Sequence, residues 1–150
     1  MHAREAARKA PVTIAPDQTI TEAAALMDRS AVGALVVTET GDRPVGIVTD
    51  RDLVVRGLAR RAGADARVDS VMSTDLVTLD ADADLRDALT VFEERAIRRL
   101  PLMEGDRLAG VLTVDDLMVD LTSDLVRLTR PVMSQVLFGH REPVTPATAG

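Results

Sequence analysis

Two short segments of this 150-residue chain have residue types and spacing suited to binding a phosphorylated ligand: Thr49-Asp50-Arg51-Asp52 and Thr113-Val114-Asp115-Asp116. Each follows a glycine and an aliphatic pair, Gly46-Ile47-Val48 and Gly110-Val111-Leu112, so each reads as a strand end that opens a helix. A helix N-terminus presents unpaired N–H groups and partial positive charge, which suits an anion. The hydroxyls of Thr49 and Thr113 each add a donor. One turn on, the carboxylates of Asp52 and Asp116 are of a type that can accept from both hydroxyls of a ribose. The same spacing is also a plain capping arrangement, and a cap can be displaced by a ligand, so both readings stand. Arg98 and Arg99 precede Leu100-Pro101, and Arg51 lies inside the first segment. Arginine suits bidentate phosphate binding, although Arg98 and Arg99 also fit a solvated strand edge.

These segments are two copies of one unit. Shifted by 65 residues, Val12-Thr13 falls on Val77-Thr78, Asp17 on Asp82, Ala23 on Ala88 and Leu35 on Leu100. After Thr40, which has no counterpart, a shift of 64 lays Gly41-Asp42-Arg43 on Gly105-Asp106-Arg107 and Thr49, Asp52 and Leu53 on Thr113, Asp116 and Leu117. Fourteen of forty-one compared positions are identical, in register across one gap, which marks a duplication. Each copy predicts strand–helix–strand–strand–helix. The first strand runs Val12 to Ala15 or Leu76 to Leu79. The next helix is capped by Thr19 with Glu22, or by Asp84 with Asp87. Strands at 34–38 and 100–103 follow, then Gly-Asp turns, strands ending at Thr49 and Thr113, and helices over 50–61 and 115–129. Pro131 is expected to kink or restart the last helix. The class is α/β (α+β) with small mixed sheets. The expected divisions are 1–61 and 68–121 for the copies, 62–67 for a linker, 122–138 for a C-terminal helix and 139–150 for a disordered tail.

The duplicated unit resembles a tandem pair of cystathionine-beta-synthase (CBS) motifs, a Bateman module. The resemblance rests on Gly46-Ile-Val-Thr49-Asp-Arg-Asp52-Leu53, Gly110-Val-Leu-Thr113-Val-Asp-Asp116-Leu117 and Ile97-Arg98-Arg99-Leu100-Pro101-Leu102, with Val68-Asp-Ser-Val-Met72 as a short opening helix. It covers residues 4 to about 121. It implies two β-α-β-β-α motifs packed sheet to sheet about a pseudo-two-fold axis, with two clefts between them. It also implies a stand-alone regulatory module that senses an adenosine-containing ligand such as AMP, ADP, ATP, S-adenosylmethionine or an NAD-type molecule, and a homodimer with an unidentified protein partner. The family pattern often carries His-Arg before Leu-Pro; here both residues are arginine, and the first copy has Gly33-Ala34 instead, so the clefts are expected to differ. The purine is expected against aliphatic groups and backbone near Thr13 or Thr78. The alternative is a structural dimerisation module that scaffolds a partner, supported by the apolar stretch Leu125 to Phe138.

Composition narrows the field. Net charge is −6 and pI about 4.9, opposite in sign to a nucleic-acid binder. Phe92 and Phe138 are the whole aromatic complement, so single-strand stacking platforms are excluded. With no cysteine, disulfides, thiolate nucleophiles and cysteine-ligated zinc are excluded. His2 and His140 offer little material for catalysis or a metal site. The acidic pairs Asp50/Asp52, Asp115/Asp116 and Glu93/Glu94 could hold Mg²⁺ but fit helix-start charges and solvated faces better. The longest apolar stretch, Ala31 to Val37, is far short of a membrane span, and the first ten residues carry no secretory pattern. The expectation is a cytoplasmic non-enzyme.

Overall fold

The computed structural model describes residues 1–137. The expected helix end at Phe138 and the tail 139–150 lie outside the described residues. The chain divides into two compact units, Met1–Asp116 and Leu117–Gly150.

The first unit holds both repeats. Helix α1 (Ala3–Ala6) precedes strand β1 (Thr13–Ile14), helix α2 (Ile20–Ser30) and strands β2 (Ala34–Glu39) and β3 (Arg43–Thr49). Helix α3 (Asp50–Asp52) continues as a π-helical turn, Leu53–Gly57, and a 3-10 turn, Leu58–Arg60. After a 3-10 turn at Val68–Ser70, the second repeat supplies β4 (Leu79–Asp80), α4 (Leu85–Arg95), β5 (Arg99–Glu104) and β6 (Arg107–Thr113). Helix α5 runs Val114–Leu137. Each repeat makes a three-stranded sheet, β1-β2-β3 or β4-β5-β6, with the first pair parallel and the second antiparallel. The central strands are buried in the middle, at Leu35–Val37 and Leu100–Leu102, as strands covered on both faces require.

Thr40 lengthens the first hairpin loop to three residues, where Gly41 and Asp42 both have positive φ. The second loop has two residues, with only Gly105 at positive φ, the requirement of a tight II′-type connection.

Three local expectations change. The Thr19–Glu22 capping box forms, with the Thr19 N–H donating to Glu22 at 2.8 Å and the Glu22 N–H donating to Thr19 Oγ1 at 3.1 Å. Asp84 instead accepts from the Arg86 N–H at 2.9 Å, without a box; Asp87 is one methylene shorter than the Glu that reaches back. The helix over 50–60 is not regular α. It turns widely at Val54-Val55 and narrows after buried Gly57, where an added Cβ would meet Ile20 Cδ1 at 3.4 Å. Helix α5 is continuous through Pro131. Its exposed flank lets water satisfy the Arg127 carbonyl that the proline leaves without a donor. Thr129 and Ser134 hydroxyls donate to the carbonyls of Val126 and Pro131, at 2.7 and 3.0 Å.

The two repeats exchange their leading segments. Ala3 and Ala6 are fully buried, and the N–H groups of Ala3 and Arg4 donate to the carbonyls of Ala83 and Ala81, in the second repeat. Reciprocally, Val68 and Val71 enter the core of the first repeat with Ile14, Ala23, Met27, Leu35 and Val48. The Val68 and Asp69 N–H groups donate to the carbonyls of Gln18 and Pro16. The isolated bridges His2–Asp84 and Arg67–Thr19 are related by the repeat itself.

Candidate functional site

Within the first unit, the start of one repeat and the end of the other enclose a cavity of about 310 Å³. This is at the small end of the ~300–1,000 Å³ typical of ligand sites. Its apolar wall is aliphatic: Pro11, Val12, Val32, Leu35, Val36, Ile47 and Val111. Its polar rim carries Lys9, Arg98, Arg99, Thr113, Asp115 and Asp116.

Local folding places each rim group. Helices α2 and α4 end on Ala31 and Ala96, both with left-handed backbone, at φ 52° and 51°. These caps turn the chain sharply into the loops before β2 and β5, which deliver Gly33 and Arg98. The loops are tied to the helices that follow the hairpins. The Asp50 N–H donates to the Gly33 carbonyl and the Val114 N–H to the Arg98 carbonyl, each at 3.0 Å. Arg98 also pairs with Asp115 through Nη2 at 3.1 Å, with both side chains largely exposed. Gly33 leaves the space that Arg99 approaches: a Cβ there would lie 3.2 Å from Asp50 Oδ2 and 3.7 Å from Arg99 Nη2.

The two Thr-x-x-Asp segments differ in what their carboxylates do. Asp52 is committed. Its carboxylate accepts the Thr49 N–H at 2.9 Å, its own N–H donates to Thr49 Oγ1 at 3.2 Å, and Arg56 Nε lies 3.8 Å away. In the second copy the Asp116 N–H donates to Thr113 Oγ1 at 3.0 Å, but the reciprocal bond is absent. Among the described residues the Asp116 carboxylate has no hydrogen bond or ion pair, and it lines the cavity half-buried. A carboxylate without a protein partner beside a helix start and a threonine can accept from ligand hydroxyls.

Of the residues singled out in the sequence, the cavity brings together Thr113, Asp116, Arg98 and Arg99. Thr49 and Asp52 close on each other as a cap and do not line it. Arg51 is exposed at the start of α3, away from the lining; its repeat counterpart is the acidic Asp115. Thr13 lies within β1, paired in register with Val36, and Thr78 is exposed just before β4; neither lines the cavity, although the neighbour Val12 does. Lys9, Gly33 and Asp115 were not anticipated as site residues. Lys9 had a signal, since it is the one lysine of the chain and lies three residues before Val12, where the first strand of the repeat is expected. Among the described residues no group of three or more His, Asp and Glu side chains could hold a metal ion, and no helix is long and apolar enough to cross a membrane.

Comparison with known proteins places this geometry. The CBS domain-containing protein YhcV of Bacillus subtilis and this chain are 39% identical over 112 residues, covering 75% of this chain and 79% of that protein. Hypoxic response protein 1 of Mycobacterium tuberculosis is 34% identical over 118 residues, covering 77% and 81%. The crystal structure of Hypoxic Response Protein I with two coordinated zinc ions superposes with a TM-score of 0.72 at 31% identity, covering 79% of this chain and 97% of that one. The CBS domain pair of MJ0100, in complex with 5′-methylthioadenosine and S-adenosyl-L-methionine, superposes with a TM-score of 0.73 at 19% identity, covering 83% and 98%. CBS domains match residues 3–57 and 68–122, the two halves of the duplication. The chain belongs to the CBS-domain family, as a tandem pair.

Proposed function

We propose that the cavity receives a phosphorylated adenosine ligand and that the chain is a regulatory, non-enzymatic sensor of it. The observation that carries this reading is the unpartnered Asp116 carboxylate on a rim that also holds Lys9, Arg98 and Arg99. Asp116 receives the ribose hydroxyls. Thr113 and the N–H groups at the start of α5 face the phosphate, with Arg98 and Arg99 neutralising its charge. The purine lies against Val12, Val32 and Val111 and takes its hydrogen bonds from backbone, because the chain has no tyrosine or tryptophan to stack on it. The binding of adenosine compounds by MJ0100, which has the same fold, supports the ligand class.

Because the rim comes from both repeats, a ligand has differential affinity for arrangements that bring Lys9 and Gly33 close to Asp116 and Arg99. Binding shifts population toward such arrangements, and a partner protein reads the shift.

The test is calorimetric titration of the full chain with AMP, ADP, ATP and adenosine. Saturable heat is expected, with the nucleotides tighter than the nucleoside. Equal affinity for AMP and adenosine removes the phosphate role of Arg98 and Arg99. Absence of saturable heat with every compound leaves the structural, scaffolding alternative.

A further inference from the structure

We propose that the cavity selects a nucleoside monophosphate over the di- and triphosphate, and that Asp115 is the residue that sets this limit. The selection rests on the ligand reading above and adds to it the number of phosphates. Three cations line the cavity, Lys9, Arg98 and Arg99, together with two carboxylates, Asp115 and Asp116. A third carboxylate borders it. A Cβ at the lining residue Gly33 would lie 3.2 Å from Asp50 Oδ2 and 3.7 Å from Arg99 Nη2, so this acid and this arginine flank one small space. The cations are thus matched one for one by acids before any ligand arrives.

That balance decides how much phosphate the rim can hold. Arg98 Nη2 donates to Asp115 Oδ1 at 3.1 Å, with the two side chains 71% and 72% exposed. An exposed pair of this kind is worth little, so one phosphate can draw Arg98 away at small cost. A phosphomonoester carries about −1.5 to −2 charge near neutral pH, which Arg98 and Arg99 balance between them. Asp115 is then left on the same rim without its arginine. Each further phosphate brings negative charge toward it, and Lys9 is the one lining cation still uncommitted. Like charges a few ångströms apart at a protein surface disfavour binding by roughly five- to tenfold. The helix start itself does not require the acid. In the first repeat the counterpart of Asp115 is Arg51, and Gly33 stands where the second repeat has Arg98.

The test is calorimetric titration of the full chain and of Asp115→Asn with AMP, ADP, ATP and adenosine. The buffer is free of divalent cations, because Mg²⁺ would neutralise part of the phosphate charge. Asparagine keeps the shape and an acceptor for Arg98 and removes the charge. The parent is expected to bind AMP more tightly than ADP and ADP more tightly than ATP, with AMP and ATP at least roughly fivefold apart. Asp115→Asn is expected to shrink the AMP-to-ATP ratio by roughly five- to tenfold. That ratio reports charge at the phosphate end of the ligand and does not move with a general loosening of the fold. A smaller gap in the parent, or the reverse order, overturns the selection while leaving the nucleotide reading in place. An unchanged ratio in Asp115→Asn overturns the role of Asp115. Equal affinity for AMP and adenosine, or no saturable heat with any of the four, overturns the ligand reading and the selection with it.

Discussion

Asp52 and Asp116 occupy equivalent repeat positions, yet their replacement by alanine is expected to give opposite signatures. The Asp116 carboxylate has no protein partner among the described residues, so its loss costs the folded state at most the helix-start charge effect, ~0.3–1 kcal/mol. In the bound state it would accept charged hydrogen bonds worth ~1.5–3 kcal/mol, roughly a 10- to 150-fold loss of affinity on removal. The Asp52 carboxylate accepts the Thr49 N–H at 2.9 Å in a half-buried capping box. Its loss strands that donor and costs ~1 kcal/mol, within the usual range for a broken cap. In a folded unit of this size that is a fall of about 4 °C in Tm. Asp52→Ala should therefore melt lower and bind AMP as the parent does, and Asp116→Ala should melt nearly as the parent and bind AMP weakly. The assay is calorimetric AMP titration paired with thermal melts followed by circular dichroism. Parental AMP affinity in Asp116→Ala would refute the ribose role. Equal loss of affinity in both variants would refute the claim that the cap commits Asp52.

Three further outcomes follow from the geometry. Gly33→Leu projects a side chain to where Asp50 and Arg99 already approach within 3.2 and 3.7 Å, so AMP titration should show binding lost while the melting curve stays near that of the parent. Gly46→Ala should destabilise by ~1–3 kcal/mol in denaturant titration, because the new Cβ would sit 2.7 Å from Met72 Sδ and 2.8 Å from the Ser73 carbonyl; Gly110→Ala, with Ala7 Cβ at 3.7 Å, should be near neutral. Stability should fall in acid. The Arg67 hydrogen bond holds the Asp69 carboxyl below its ordinary range, and the Arg86 N–H does the same for Asp84, so both bind protons less readily folded than unfolded. Their contribution is present above the unfolded carboxylate pKa of about 3.9 and is lost as pH falls through the lowered folded values. Melts between pH 5 and 2 check this, and Asp84→Asn, which keeps a cap acceptor, should flatten part of the acid limb.

The repeat makes much of the fold legible in the sequence. Identities in register gave the element order, and the extra Thr40 marked where the two hairpin loops differ. The exchange of leading segments was not legible, because MHAREAA reads as a polar start and its backbone partners, the Ala81 and Ala83 carbonyls, lie some eighty residues away. The site was half legible. Thr-x-x-Asp occurs twice, and only tertiary contacts separate the two. A clue did exist in the residue four beyond each aspartate. Arg56 follows Asp52 at a distance that lets the pair meet, whereas the position after Asp116 is Asp120, of like charge. The π-helical turn at Leu53–Gly57 had no sequence period to announce it; within it Arg56 donates to the Val71 and Met72 carbonyls, fifteen and sixteen residues on.

The reciprocal docking of residues 1–6 and 68–71 bears on what one repeat could do alone. Severed at residues 62–67, neither half keeps its own cover: the first would lose Val68 and Val71 from its core, and the second would lose Ala3 and Ala6. Each fragment would have to borrow the missing piece from another molecule, as domain-swapped chains do. The linker converts that bimolecular association into an intramolecular one, at an effective concentration in the ~mM range for a short connection. The two repeats should accordingly unfold in one transition rather than two. The separated fragments, if they fold together at all, should show a midpoint that rises with concentration.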